Sequence, residues 1–378
     1  MGSHDNKIPL MNIRDMIDPV RGQIDEVLKK LIDGTQFILG KPVDDFERNF
    51  AAFCRIPHAI GCANGTDALM ITLKAAGIRP GDKVIVPVNS FIATSEAVTA
   101  IGAQVVFADA DETYSHLDPV HCRSILAKDR NRSIRGIMPV HLYGQMADMP
   151  ALKQLADEYG LAVIEDAAQA HGSSLAGKGV GHWGDFATFS FYPGKNLGAF
   201  GDAGGIISTK ESLAEKARML VNHGRLPGDK YLHRIEGYNM RIDTIQAAIL
   251  DIKLTLLSSE NEKRRRKADL YRQLLGQVQG IIIPEVRPEG VPVWYTYVIR
   301  VPGGRRDALA EHLNRSGIAT GIYYPVPLHL QPAYEYTGYK KGDFPVAEKL
   351  ATEILSLPMW GDMTEDQLVT VAGAVKDF

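Results

Sequence analysis

Between residues 57 and 205, short β-branched runs alternate with longer stretches of helical pattern, and no other feature limits so strongly what the chain can fold into. The runs lie at 59–62, 84–87, 105–108, 134–140 and 162–165, and two more follow close together at 186–191 and 205–209. Helical patterns at 66–76, 94–101 and 149–159 are long enough to carry the chain back between parallel strands, and another spans 211–223. Such alternation predicts an α/β fold: a mainly parallel sheet with helices on both faces. A long helical pattern at 244–275 then leads out of this region. Beyond it, strand patterns at 291–301 and 318–323 and helical patterns at 306–315 and 346–355 predict a smaller α+β unit. We place the boundary inside the long helix near Ser258, giving a large domain at 8–257 and a smaller one at 258–378, with a helix from 8–32 packed on one of them. Two domains suit a chain of 378 residues.

A formal net charge of -3 argues against a protein that grips nucleic acid by bulk electrostatics. Cys54, Cys62 and Cys122 form neither an even disulfide set nor a C-x-x-C pair, which points to a reducing compartment. The first residues lack the apolar core of a signal peptide, no run is long and apolar enough to span a bilayer, and a cytoplasmic protein is expected. Met1 to His4 reads as a cloning remnant. The basic run Lys263-Arg264-Arg265-Arg266-Lys267 falls within the long helical pattern and is expected to form a solvated helix surface.

Ligands of open α/β sheets bind beyond the carboxyl ends of the strands, so the residues just after each run carry the search for chemistry. Asn64-Gly65-Thr66-Asp67 follows the first run and opens a helix whose free amides and positive dipole end suit a phosphate, although Thr66 or Asp67 would serve equally as an ordinary N-cap. Phe91 follows the second run; such an aromatic is usually core, and here it is also placed to cover a flat heterocycle. Asp166 ends an apolar run, where an N-cap is again the simpler account. The most informative segment is Ser190-Phe191-Tyr192-Pro193-Gly194-Lys195-Asn196-Leu197-Gly198, which sets one lysine in a glycine-rich turn between two apolar runs. A lysine in a partly desolvated pocket sheds its proton and can form a Schiff base with an aldehyde. Pyridoxal 5'-phosphate needs an amine for its aldehyde, an anion for its pyridine nitrogen, a platform for its ring and donors for its phosphate. Lys195, Asp166, Phe91 and the Gly65 turn supply these in turn, and together they are far more specific than any one alone.

With those residues in view, the chain resembles the DegT/StrS family of nucleotide-sugar aminotransferases along nearly its whole length. Ala63-Asn64-Gly65-Thr66-Asp67-Ala68-Leu69, Pro139-Val140-His141-Leu142-Tyr143-Gly144, residues 164–169 and 190–195, and Gly237-Tyr238-Asn239-Met240-Arg241-Ile242-Asp243 carry the likeness. The resemblance implies the aspartate-aminotransferase fold, type I of the pyridoxal-phosphate transferases, with a mainly parallel seven-stranded sheet in the large domain and a smaller α+β C-terminal domain. It implies that Lys195 links to the cofactor and shuttles the proton, that Asp166 meets the ring nitrogen and that Gln169 faces the 3-hydroxyl. Phe91 would stack on the ring, and Gly65, Thr66 and Ser190 would bind the phosphate. Asn239 would reach the phosphate of a neighbouring subunit, making a homodimer the working unit. L-glutamate would be the amino donor and a nucleotide-linked keto sugar the acceptor.

The residues after the lysine, Asn196-Leu197-Gly198 and Gly201-Asp202-Ala203-Gly204-Gly205, resemble the branch that aminates C3, with Ala203 in place of a usual glycine. Tyr324-Pro325-Val326-Pro327-Leu328-His329 resembles the substrate side of 6-deoxy-sugar members, so a dTDP-linked 3-keto-6-deoxyhexose is the expected acceptor. A UDP-linked 3-keto-hexuronic acid, C4 of a 4-keto-6-deoxy sugar, and a non-catalytic regulatory protein of the same fold are the alternatives. Tyr323, His329 and His223 are candidates near the sugar without an assigned proton-transfer role, and Arg241 suits either a donor carboxylate or an internal ion pair. A related sugar dehydratase would carry histidine where Lys195 stands. Gly177-Lys178-Gly179-Val180-Gly181 is not G-x-G-x-x-G and follows the Asp166 run, where a dinucleotide fingerprint has no place; G-x-x-x-x-G-K-[ST] and H-E-x-x-H are absent and the histidines lack ligand spacing, so no metal is expected.

Overall fold

The computed structural model describes residues 7–226 and 228–378, so the segment from Met1 to His4 lies outside the described residues. All seven anticipated runs are strands of one sheet: β1 (His58–Cys62), β2 (Lys83–Pro87), β3 (Gln104–Ala108), β4 (Ile134–Ile137), β5 (Ala162–Asp166), β8 (Phe186–Ser190) and β9 (Gly204–Ser208). Between β5 and β8 the chain forms β6 (Ser174–Leu175) and β7 (Lys178–Gly179), which make a small separate sheet with β10 (Gly290–Val291). The large sheet has the order β1-β9-β8-β5-β4-β2-β3, and β9 alone runs antiparallel to its neighbours.

Helices α1 (Arg21–Asp33), α2 (Lys41–Cys54), α3 (Gly65–Ala75), α4 (Ala93–Ala100), α5 (Pro119–Lys128), α6 (Met149–Tyr159), α7 (Glu211–Val221) and α8 (Thr244–Leu275) surround the sheet. Side chains alternate across each strand, as a pleat requires. Ile60, Val84, Val86, Ile164, Phe186 and Ile206 point to the face covered by α3, α4 and α7, while Ala59, Ile85, Val163, Ala187 and Ile207 meet α2, α5, α6 and α8.

The smaller unit departs further from expectation. Within 291–301 only β11 (Tyr297–Arg300) pairs as a longer strand, because Pro292 lacks a donor and Trp294 sits at φ 47°. Residues 318–323 make single bridges, Ile318 to Ile8 and Gly321 to Ser356, instead of a strand. After α9 (Arg306–Arg315), the pattern at 346–355 divides into α10 (Pro345–Glu353) and β12 (Ile354–Leu357), which pairs antiparallel with β11. Likewise β4 stops before Pro139, whose nitrogen has no hydrogen to donate.

Helices α2, α5 and α11 (Glu365–Lys376) were not anticipated. The α2 signal is present in the chain, since Val43, Phe46, Glu47, Phe50 and Ala51 fall on one helical stripe and are buried. Phe50 meets Phe189 and Phe191 edge-on at 5.0 and 5.3 Å, which anchors α2 beneath the segment leading to Lys195.

The long helix α8 spans 32 residues as its pattern implied. Its first half packs on α2 and, through Ile249 against Ile24, on α1. Its second half joins, through Ala268, Tyr271 and Leu275, an apolar cluster with β11, α9, β12 and α11 that also includes Ile8. The basic run departs from a purely solvated surface. Arg264 is buried and donates to the carbonyls of Trp294, Tyr295 and Met359 at 3.2, 3.4 and 3.3 Å. Lys263 pairs with Glu260 and Asp362, while Arg265 and Arg266 pair with Glu262. Consecutive residues point around a helix, so one of the five had to turn inward once both halves of α8 were covered.

Candidate active site

The carboxyl ends of β1, β2, β5 and β8 open onto a cleft of about 680 Å³, and eight of the residues singled out from the sequence line it: Gly65, Thr66, Phe91, Asp166, Gln169, Ser190, Lys195 and Tyr323. The sheet order explains the gathering, because β5 and β8 are neighbours and β9 brings β1 alongside them. Residues far apart in sequence thus meet at one edge.

Lys195 stands on a turn fixed at both limbs. Its own N–H donates to the Tyr192 carbonyl at 2.8 Å, the Ala199 N–H donates to the Phe191 carbonyl at 2.7 Å, and the Phe191 N–H donates to Ala203 at 2.8 Å. Ala203 is buried and outside the left-handed backbone region, so an alanine fits there without strain. The Lys195 ammonium lies 4.6 Å from the centre of the Tyr295 ring. Desolvation brings its pKa down to about 8 from the ordinary 10.5, with the nearby Asp166 charge opposing the shift.

Asp166 is buried at the end of β5 and accepts hydrogen bonds from Thr94 Oγ1 at 2.9 Å and from the Ala168 N–H at 3.1 Å. Burial pushes its pKa upward, against those bonds and the Lys195 charge. A carboxylate so enclosed gains most from a cationic partner delivered into the cleft.

At the start of α3 the Asn64 side chain caps the helix by accepting from the Asp67 N–H at 2.8 Å. The amides of Gly65 and Thr66, the first two of the helix, have no intrahelical acceptor. A Cβ on Gly65 would lie 2.8 Å from Ser190 Cβ and 3.2 Å from Ser190 Cα, so glycine is what lets this helix end close on β8. The result is a pocket of amides and hydroxyls at a helix N-terminus, which is how proteins commonly hold a phosphate.

On the opposite wall, Gln169 Oε1 accepts the Tyr143 N–H at 2.7 Å, and its Nε2 reaches the Tyr324 hydroxyl at 3.4 Å. Tyr143 in turn donates to the Tyr323 carbonyl at 2.5 Å. Phe91, 55% exposed, lies 5.7 Å from the Tyr324 ring and offers an open face to the cleft.

Two residues of the expected set are elsewhere. His329 is buried outside the cleft, bonded to Glu348 at 3.0 Å and packed on Phe344, so its place is structural and the expectation of a substrate contact is corrected. Asn239 is exposed, bridged to Asn222, and does not line the cleft of its own chain. His223 lies in a separate groove with Lys74 and His233. Arg241 donates to Asn222 at 2.8 Å, which is neither of the two partners weighed for it. Tyr324, the first residue of the segment likened to the substrate side, lines the cleft; Thr94 and Tyr295 do so without having been singled out as functional, and a threonine one turn into a helix or a tyrosine a hundred residues downstream leaves no local signal.

A seven-stranded α/β sheet of this order, with a desolvated lysine and a buried carboxylate sharing the cleft at its strand ends, defines the fold type I class of pyridoxal-phosphate transferases. Within that class the chain belongs to the DegT/DnrJ/EryC1/StrS aminotransferase family, which it matches over residues 20–376. It is 43% identical to a pleiotropic regulatory protein of Geobacillus stearothermophilus over 98% of both chains. It is 41% identical to dTDP-3-amino-3,4,6-trideoxy-alpha-D-glucose transaminase of Streptomyces venezuelae, covering 98% of this chain and 96% of that one. The crystal structure of S. venezuelae DesV superposes with a TM-score of 0.93 at 41% identity, covering 98% of each chain.

Proposed function

We propose that the protein moves the amino group of L-glutamate, by way of pyridoxal 5'-phosphate, to C3 of a dTDP-linked 3-keto-6-deoxyhexose, and that it works in the cytoplasm as a homodimer. The observation that carries this reading is the pairing of Lys195 and Asp166 in one cleft beside the Gly65 turn. The cofactor supplies an electron-accepting ring that carries nitrogen from one substrate to the next. Three unpaired cysteines support a reducing compartment.

The chain's own residues would divide the work. Lys195, whose desolvation favours the neutral amine, would hold the cofactor's aldehyde and would move a proton beside the sugar carbon. Asp166, fixed by Thr94 and Ala168, holds positive charge at the ring nitrogen. Gln169, its oxygen already committed to Tyr143, presents its amide to the 3-hydroxyl. Phe91 covers the ring, and the Gly65 and Thr66 amides with Ser190 take the phosphate. Asn239 of the partner subunit would complete that phosphate site, which fits an exposed residue outside its own cleft. The division into domains at 8–257 and 258–378 belongs to the same reading, supported by the separate apolar cluster around β11 and α11.

The choice of sugar rests on the 41% identity to a transaminase named for a 3-amino trideoxyglucose and on the Tyr323-Tyr324 wall of the cleft. Turnover of a panel of nucleotide-linked 3-keto and 4-keto sugars with L-glutamate, with the new C–N bond located by NMR, tests it. Nitrogen at C3 of the dTDP-deoxyhexose is expected. Nitrogen at C4 alone, or preference for a UDP-3-keto-hexuronic acid, would replace the acceptor and leave the aminotransferase standing. The name of the Geobacillus relative favours a regulatory reading; protein that binds no cofactor, or whose bound cofactor spectrum L-glutamate leaves unchanged, would support it.

A further inference from the structure

Three polar side chains of α8 bond to the segment just after Lys195, on a helix face that also carries the apolar Leu250, Leu254 and Leu257. Gln246 Oε1 accepts the Phe200 N–H at 2.8 Å, Lys253 Nζ donates to the Gly198 carbonyl, and Asn261 Oδ1 accepts from Asn196 Nδ2 at 3.1 Å. Asn196 Nδ2 also reaches the Val293 carbonyl at 3.0 Å, and Asn261 Nδ2 donates to the His171 carbonyl at 2.8 Å. At about 3.6 residues per turn, positions 246, 253 and 261 lie within roughly 80° of one another around the helix, so they form one stripe. That stripe touches the chain at residues 196, 198 and 200, immediately after Lys195.

Lys253 is the unusual member. It is 4% exposed, no carboxylate among the described residues forms an ion pair with it, and desolvation brings its pKa down to about 8. A buried lysine without a counter-ion costs free energy that a methionine of similar length would not. Its contacts are the Gly198 carbonyl and the Phe200 ring, 5.9 Å away. Gly198 itself is pressed on the other limb of the turn, where a Cβ would come within 2.3 Å of the Pro193 carbonyl oxygen. The lysine therefore fastens the closed end of the loop that presents Lys195.

We propose that Lys253, seated between Gln246 and Asn261 on α8, is a positioning residue that holds the Lys195 turn closed and thereby keeps the Lys195 amine desolvated against Tyr295 and Asp166. The inference rests on the reading of Lys195 as the reacting amine, and its test separates the two.

The full-length protein loaded with pyridoxamine phosphate leaves Lys195 free, so competitive acylation across pH with mass-spectrometric quantitation of the Lys195 peptide reads its titration midpoint. A midpoint below that of a solvated lysine is expected for the unaltered protein. In Lys253→Met, which keeps length and removes the donor, the released turn admits water and the midpoint rises by about one pH unit toward that of a solvated lysine. Lys253→Arg, which keeps a cationic donor, stays close to the unaltered value. An unmoved midpoint in folded Lys253→Met, or an equal displacement in Met and Arg variants, overturns the assignment, because packing alone would then position the amine. Should the Met variant fail to fold, Gln246→Ala, which frees the Phe200 N–H from a partly exposed site, carries the same test with a smaller rise, and no rise sinks it. Independently, borohydride reduction of the pyridoxal-phosphate form followed by peptide mapping locates the attached lysine. Cofactor mass away from residue 195 defeats the functional reading while leaving the titration result to judge the clasp.

Discussion

Gly65→Ala is the sharpest test of how the phosphate pocket is built. The added Cβ would stand 2.8 Å from Ser190 Cβ, about 0.6 Å inside ordinary contact, and 3.2 Å from Ser190 Cα. Rotating the serine side chain relieves neither distance, so the end of β8 or the first turn of α3 must move. Overpacking of this kind costs about 1–3 kcal/mol, against a gain of at most about 1 kcal/mol from alanine's helix propensity. The net change is expected to be destabilising, by up to about 3 kcal/mol. The same shift parts Ser190 from the Gly65 and Thr66 amides, and losing one charge-assisted hydrogen bond to phosphate, about 1.5–3 kcal/mol, weakens cofactor binding by roughly ten- to a hundredfold. Thermal melting and a cofactor titration followed by visible absorbance measure both terms. Gly373→Ala, in α11 with nothing within 4 Å of the new Cβ, is the control and should gain up to about 1 kcal/mol. Unweakened cofactor binding together with an unchanged or raised melting temperature in Gly65→Ala would refute the close-approach argument.

Lys195→Ala should abolish transamination while cofactor still binds non-covalently, and activity equal to that of the unaltered protein would identify another amine. Asp166→Asn keeps the shape and removes the charge; a pair worth about 4 kcal/mol near 4 Å at intermediate dielectric implies a loss in kcat of up to on the order of 10³-fold, and a loss under tenfold would deny the carboxylate its partner. His329→Leu should lower stability by about 1–3 kcal/mol by leaving Glu348 short of a donor in a partly buried site, with KM and kcat for both substrates unaltered. A changed KM for the sugar would return His329 to the substrate site.

Much of the seven-stranded sheet was legible because its signals are local. Each of the seven strands falls on a short, mainly apolar run, and each run declared itself without reference to its neighbours. Lys195, Asp166 and the Gly65 turn were legible for a related reason: ligands gather past strand ends, so position along the chain already implied position in space. The smaller unit was harder, because β12 and the bridges at 318 and 321 depend on which segments happen to lie alongside. His329 misled for the converse reason, since a segment adjacent in sequence to Tyr323 and Tyr324 turns away into the packing against Phe344.

The order of residues by itself determined the α/β class and the strand and helix types through their two periodicities, and it pointed to Lys195, Asp166 and the Gly65 turn, which share one cleft. Tertiary structure alone decided that Tyr295 lies under the Lys195 ammonium, that Arg264 turns inward to the carbonyl of Tyr295, and that Lys253 reaches Gly198. Periodicity tells which side of a helix is covered, whereas the identity of what covers it is set by chain segments tens of residues away. A buried cation on α8 therefore acquires its meaning only when the loop it fastens has been folded against it.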